Sequence, residues 1–242
     1  MEKRAIPLVD LQQYISGNEA EKTAFVKNLG DAFHNIGFVG VINHGVSKQL
    51  INDFYNASKD FFSLPTAIKK KYEIPGMAGQ RGFTSFGKEH AKQSTVADLK
   101  EFFQIGQFVD QDHPRKADYP DNPNVEEVEN FYALGKQLYQ AFEKSGAYLL
   151  RAIATHLDLP VDYFDDKIKD GNSILRTIHY PPITSEPDSA IRAEQHEDIN
   201  LITLLVGATA GGLQLLTSQN EWLDVVPEAD EIVINVGDML QR

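Results

Sequence analysis

Apolar positions near the start of the chain recur at helical spacing: Phe25, Val26, Leu29, Phe33 and Ile36, with Gly37 where a C-terminal cap belongs. A strand-type run follows, Phe38-Val39-Gly40-Val41-Ile42, closed by a turn at Asn43-His44-Gly45. Ser47 offers an N-cap to a second helix carrying Leu50, Ile51, Phe54, Tyr55 and Phe61, which stops before Pro65. Residues 75–95, rich in Gly, Ser, Thr and Lys, predict an irregular, exposed loop. A second break spans Asp110 to Asn124, with Pro114, Pro120 and Pro123 as helix breakers. Beyond it, Val125, Val128, Phe131, Leu134, Leu138, Phe142, Leu149, Leu150 and Ile153 predict one long scaffold helix.

After about residue 174 the period changes. Ile174–Tyr180, Leu201–Val206, Leu213–Leu216, Trp222–Val226 and Ile232–Val236 are short, β-rich runs separated by Gly, Pro, Asn or Asp. Strands of this length and spacing predict a barrel or jelly roll. The whole is an α+β chain with three sequence regions, 1–110, 111–173 and 174–242, expected to act as one structural unit. No internal repeat or low-complexity tract interrupts it.

Composition narrows the class. Hydrophobic residues make up 42% and charged residues 24% of 242, ordinary globular usage that permits a sizeable core. Lys and Arg total 23 against 35 Asp and Glu, a net charge of −12 that repels nucleic-acid phosphates and anionic membrane surfaces. Lys69-Lys70-Lys71 is an isolated basic run and reads as a solvated helix end. The absence of cysteine excludes disulfides, zinc–thiolate sites and thiol catalysis. Met1-Glu2-Lys3-Arg4 leads into no long apolar run, and no stretch approaches the ~18 apolar residues of a membrane span. The expectation is a cytoplasmic protein with no nucleic-acid or membrane partner; its oligomeric state is not legible.

His196-Glu197-Asp198 is the sharpest chemical candidate. In an extended segment side chains two apart share a face, so His196 and Asp198 could meet one ion while Glu197 points away. An imidazole and a carboxylate, completed by a further imidazole, form the facial triad of non-haem iron(II) oxygenases, which leaves positions open for co-substrate and dioxygen. The tripeptide alone is common, so its context decides.

That context resembles the isopenicillin N synthase-like family of 2-oxoglutarate/iron(II) dioxygenases. The carrying stretches are His-Glu-Asp-Ile-Asn-Leu-Ile-Thr-Leu-Leu (196–205), Gly-Gly-Leu-Gln-Leu-Leu (211–216), Glu-Trp-Leu-Asp-Val-Val-Pro (221–227) and Ile-Asn-Val-Gly-Asp-Met-Leu-Gln (234–241). Upstream, Leu-Arg-Thr-Ile-His-Tyr-Pro-Pro (175–182) resembles the strand before the iron site. Ile6-Pro7-Leu8-Val9-Asp10, Gly37-Phe38 through Asn43-His44-Gly45, Phe61-Phe62-Ser63-Leu64-Pro65 and Asp98-Leu99-Lys100-Glu101-Phe102 match in the same order.

The resemblance implies a double-stranded β-helix core flanked by N-terminal and central helices, with His196 and Asp198 as metal ligands. It implies iron(II), 2-oxoglutarate as co-substrate, and room for ascorbate as an accessory. A small organic substrate and dioxygen would be the reaction partners. Tyr180 would hold 2-oxoglutarate through its hydroxyl. Relatives often carry Asn two residues earlier, where this chain has Ile178. The family's second metal-binding His, its Arg-x-Ser motif and its last jelly-roll strands would lie beyond Arg242. Two other readings are a 2-oxoglutarate-independent iron oxidase of the same family and a non-catalytic small-molecule binding module.

The remaining candidates read as structural. His179 falls on the strand face opposite Tyr180 and His44 in a turn; His34 and His156 sit in helical patterns, His90 and His113 in polar loops. Arg176 shares a face with Ile178 and Tyr180 and would face a cavity or pair with a core carboxylate. Trp222 is expected in the core, and Gly237-Asp238 as a tight turn or bulge. Gly211-Gly212 lacks the Lys-Ser/Thr and the helix of a phosphate loop.

Overall fold

A computed structural model describes residues 6–77, 79–88, 98–182, 195–207, 211–217, 219–228 and 230–241. His90 and Arg242 lie outside the described residues. The elements run β1 (Leu8–Asp10), α1 (Leu11–Ser16), α2 (Glu19–Asn35), β2 (Phe38–Ile42), α3 (Lys48–Ser63), α4 (Thr66–Lys69), β3 (Gly82–Thr84) and β4 (Glu101–Gly106). They continue with α5 (Phe131–His156), α6 (Asp165–Ile168), β5 (Ile174–His179), β6 (Ile202–Val206), β7 (Gln214–Leu216), β8 (Trp222–Asp224), β9 (Ile232–Val236) and α7 (Asp238–Gln241). Helices and mostly antiparallel sheets give the α+β class expected. Two units emerge: residues 1–46, 141–169 and 197–242 form the first, residues 47–140 and 170–196 the second.

In the first unit, Asn18 opens α2 with a capping box. Its Oδ1 accepts from the Ala20 and Glu21 amides, while Glu21 Oε2 accepts from the Asn18 amide. Gly37, at φ +78°, ends the helix by donating to the Ala32 and Phe33 carbonyls, a left-handed position that favours glycine. The chain then enters β2, parallel to β1 and antiparallel to β9, which also pairs antiparallel with β6. Ile232 and Ile234 of β9 pack with Val39, Val41, Phe25, Leu29, Leu149 and Ile153. Val233, between them, packs with Ile6, Leu215 and Val225. Being covered on both faces, β9 reads as a continuous apolar run rather than an alternating one.

The expected β-rich runs after residue 174 all form strands, within two residues of the expected ends. Trp222, expected in the core, is 51% exposed. In the β7–β8 ribbon, Leu215 pairs with Leu223 on the inner face, and the pleat turns the neighbouring pair Leu216 and Trp222 outward.

The second unit is built on β4, buried along its whole length between β3 and β5. Phe61 of α3 packs edge-on against Phe83 and Phe103 and tilted against Phe131. Three expectations fail here. The stretch read as an exposed loop contains β3, with Arg81 and Phe83 both 2% exposed, because β4 needs a partner on that edge. The long helix starts at Phe131, not Val125: Asn130 takes φ +60°, which breaks the helix, while Val125 and Val128 are buried from irregular chain at helix-like spacing. Lys70 and Lys71 are exposed, but Lys69 is buried, its ammonium 2.7 and 2.8 Å from the two Glu101 oxygens and 3.1 Å from the Phe62 carbonyl. The carboxylate that β4 carries inward requires that countercharge.

Candidate metal centre

Asp198 lies in the irregular stretch before β6 and is half-buried. Its Oδ2 accepts from the Thr203 hydroxyl at 2.5 Å and from Asn235 Nδ2 at 2.9 Å. Thr203 and Asn235 are directly opposed in the β6–β9 ladder, so their side chains stand together on one face of the sheet. Asn200 Nδ2 donates to the same threonine oxygen at 2.9 Å. A carboxylate oxygen accepts only, so the single threonine hydrogen must point to Asp198, and the Asn200 amide must approach from the other side.

The backbone is pinned as well. The amides of Gly237, Asp238 and Met239 donate to the carbonyls of Leu201, Asp198 and Asn200 at 3.0, 2.9 and 3.2 Å. Gly237-Asp238, expected as a tight turn or bulge, turns the chain into α7 and spends its N–H groups on holding the Asp198 segment. A Cβ at position 237 would fall 2.3 Å from Asn200 Oδ1 and 2.6 Å from the Asp198 carbonyl. Gly237→Ala is accordingly expected to cost about 1–3 kcal/mol of stability by overpacking. A urea unfolding series checks this; a midpoint unchanged from wild type would contradict the close approach.

His196, in the second unit, is exposed. Tyr180, also in the second unit, is half-buried and follows directly on β5. That strand is set by six registered pairs with β4, from Gly106↔Ile174 to Glu101↔His179. His179 turns to the network side: its Nδ1 is 2.9 Å from Glu101 Oε1 and its ring centroid 5.2 Å from that of Phe62. Arg176, expected to face a cavity or pair with a core carboxylate, has its guanidinium 4.4 Å from the Phe102 ring centroid. With the Gln104 amide nitrogen directed at the Gly79 carbonyl, its oxygen accepts from Arg176 Nε at 2.7 Å.

The other histidines have structural surroundings. His44 is buried; its Nδ1 accepts from the Val46 amide, and burial pushes its pKa below the ordinary value against a smaller opposing pull from Asp230. His113 lies 3.2 Å from Asp170 Oδ2. His34 and His156 are exposed on helices. Among the described residues no three His, Cys, Asp or Glu side chains gather to hold a metal ion, and no helix is long and apolar enough to cross a membrane. Thr203, Asn235 and Asn200 were not singled out from sequence, and Gly237 only as part of a tight turn or bulge; the one available signal is a polar residue interrupting each of two apolar strands.

Two family models match the chain. Residues 6–127 match the non-haem dioxygenase in morphine synthesis N-terminal family, and residues 171–242 the 2OG-Fe(II) oxygenase superfamily. The 2-oxoglutarate-dependent dioxygenase htyE of Aspergillus rugulosus is 32% identical, over 98% of this chain and 76% of its own. The 2-oxoglutarate-dependent dioxygenase ecdK of the same organism is 34% identical, over 97% and 75%. A crystal structure from Caulobacter crescentus, assigned to the 2OG-Fe(II) oxygenase family, superposes with a TM-score of 0.86 at 37% identity, covering 99% of this chain and 76% of its own. A full-length Neurospora crassa protein in complex with alpha-KG and thymine superposes with a TM-score of 0.83 at 27% identity, over 99% and 76%.

Proposed function

The chain belongs to the 2-oxoglutarate/Fe(II) oxygenase superfamily, and on that premise we propose that His196 and Asp198 are protein ligands of its iron(II) and that Tyr180 helps to hold 2-oxoglutarate. As a family member it is a non-haem iron(II), 2-oxoglutarate-dependent dioxygenase with a jelly-roll core, acting on a small organic molecule and dioxygen. Iron(II) with its co-substrate supplies the oxidative chemistry: decarboxylation of 2-oxoglutarate to succinate, coupled to oxidation of the substrate.

The observation that carries the ligand assignment is the restrained Asp198 carboxylate, held on one oxygen by Thr203 and Asn235. Metal ligands are oriented by outer hydrogen-bond partners of this kind. An imidazole two residues away from a carboxylate is a donor set that suits iron(II). Tyr180 offers a hydroxyl donor at the end of a strand fixed along its length, and a carboxylate is its natural acceptor. The acidic balance of the chain supports work on a small molecule rather than on nucleic acid or at an anionic bilayer.

The test is succinate release in the presence of iron(II), 2-oxoglutarate and a substrate. His196→Ala is expected to lose it. Tyr180→Phe is expected to raise KM for 2-oxoglutarate roughly 10- to 100-fold, the equivalent of one hydrogen bond to a charged group at about 1.5–3 kcal/mol. Wild-type turnover in His196→Ala, or an unchanged KM in Tyr180→Phe, would remove the corresponding role.

A further inference from the structure

We infer that Asn200, Thr203 and Asn235 are positioning residues of the metal site, forming a directed hydrogen-bond relay that sets which oxygen of Asp198 meets the metal. The inference rests on Asp198 being a ligand, the reading proposed above. Three features of the geometry lead to it. First, Oδ2 receives two donors, at 2.5 and 2.9 Å. A carboxylate oxygen has two lone-pair directions, and these two donors take up both on Oδ2, so a bound metal would be met by Oδ1.

Second, the relay has a fixed sense. Asn200 presents its NH2 to Thr203, so the threonine hydrogen is committed to Asp198. The reversed amide would compete for that hydrogen and release the carboxylate. Keeping this sense has a cost: Asn200 Oδ1 is buried and has no hydrogen-bond partner among the described residues. A buried unsatisfied carbonyl oxygen is uncommon, and here it is tolerated next to the ligand whose orientation it secures. Third, the two donors to Oδ2 come from residues directly opposed in the β6–β9 ladder, whose apolar residues pack into the core of the first unit, so they move only if the sheet moves.

The experiment is anaerobic calorimetric titration of the metal-free protein with manganese(II), a redox-stable stand-in for iron(II), beside thermal melts of the same samples. Thr203→Val and Asn235→Leu are expected to weaken metal binding 10- to 100-fold, the range for loss of an outer partner. Thr203→Ser keeps the hydroxyl and is expected to stay within a few-fold of wild type. A simple packing role would move the melts of Val and Ser alike and leave the affinities together. If Asp198→Asn loses the metal while Thr203→Val and Asn235→Leu bind as wild type, the relay is refuted and the ligand assignment stands. If Asp198→Asn also binds as wild type, the ligand assignment has failed and the relay with it.

Discussion

Asp198→Asn is expected to end succinate formation while leaving the protein folded. The amide oxygen can still accept from Thr203 and Asn235, so the contacts that pin the 198–201 segment to β6, β9 and α7 persist. What disappears is the negative charge and the ligand strength of a carboxylate oxygen. The loss in turnover is therefore expected to exceed the 10- to 100-fold attributed to outer partners, because a ligand itself is removed. Asp198→Ala loses the same activity but also strands two donors, each costing about 1–3 kcal/mol if left buried and unpaired. Comparing the two variants by coupled succinate assay and by melting separates chemistry from folding. Near-wild-type turnover in the asparagine variant would refute the role given to Asp198.

The second large effect lies away from the metal. Lys69→Met is expected to destabilise the protein by about 3–5 kcal/mol, the usual cost of breaking a buried ion pair from one side. Both partners are 7% exposed at the side chain, and Glu101 would be left with His179 alone among the contacts described above. Against a total stability of roughly 5–15 kcal/mol this is a large fraction. Urea unfolding measures it, and the double variant Lys69→Met with Glu101→Gln should recover much of the loss, since the charge left behind is then gone. A single-variant effect below about 1 kcal/mol would mean that water or another group compensates Glu101.

Local signals were the legible part of this fold. The capping residues Gly37 and Ser47, the strand run at 38–42 and the short β-rich runs after 174 each depend on neighbours in sequence, and each forms an element close to the expected place. What failed depends on partners distant in sequence. Lys69 is buried because β4 brings Glu101 to it, and the segment around Arg81 and Phe83 is a strand because β4 needs an edge partner. Trp222 faces outward because of a ribbon register that no single strand reveals. Val125 and Val128 mimic helical spacing without being helical, which only the backbone at Asn130 discloses.

The same division runs through the candidate site. His196 and Asp198 could be named from a tripeptide set among collinear motifs. The residues that hold Asp198 could not, since Thr203 and Asn235 meet through ladder register and Asn200 matters through the sense of one amide. Asn235 and Gly237 stood in view as part of Ile-Asn-Val-Gly-Asp, but their reason for being there is the segment they grip.

The most direct test of the iron assignment is optical. Wild-type protein and Asp198→Asn would be loaded with iron(II) under anaerobic conditions and titrated with 2-oxoglutarate, watching for the weak visible charge-transfer band of a chelated co-substrate. The wild type should develop the band at stoichiometric iron. The asparagine variant, with an unchanged melt, should show none at the same iron concentration. An equal band in both proteins would contradict the placement of iron(II) at Asp198.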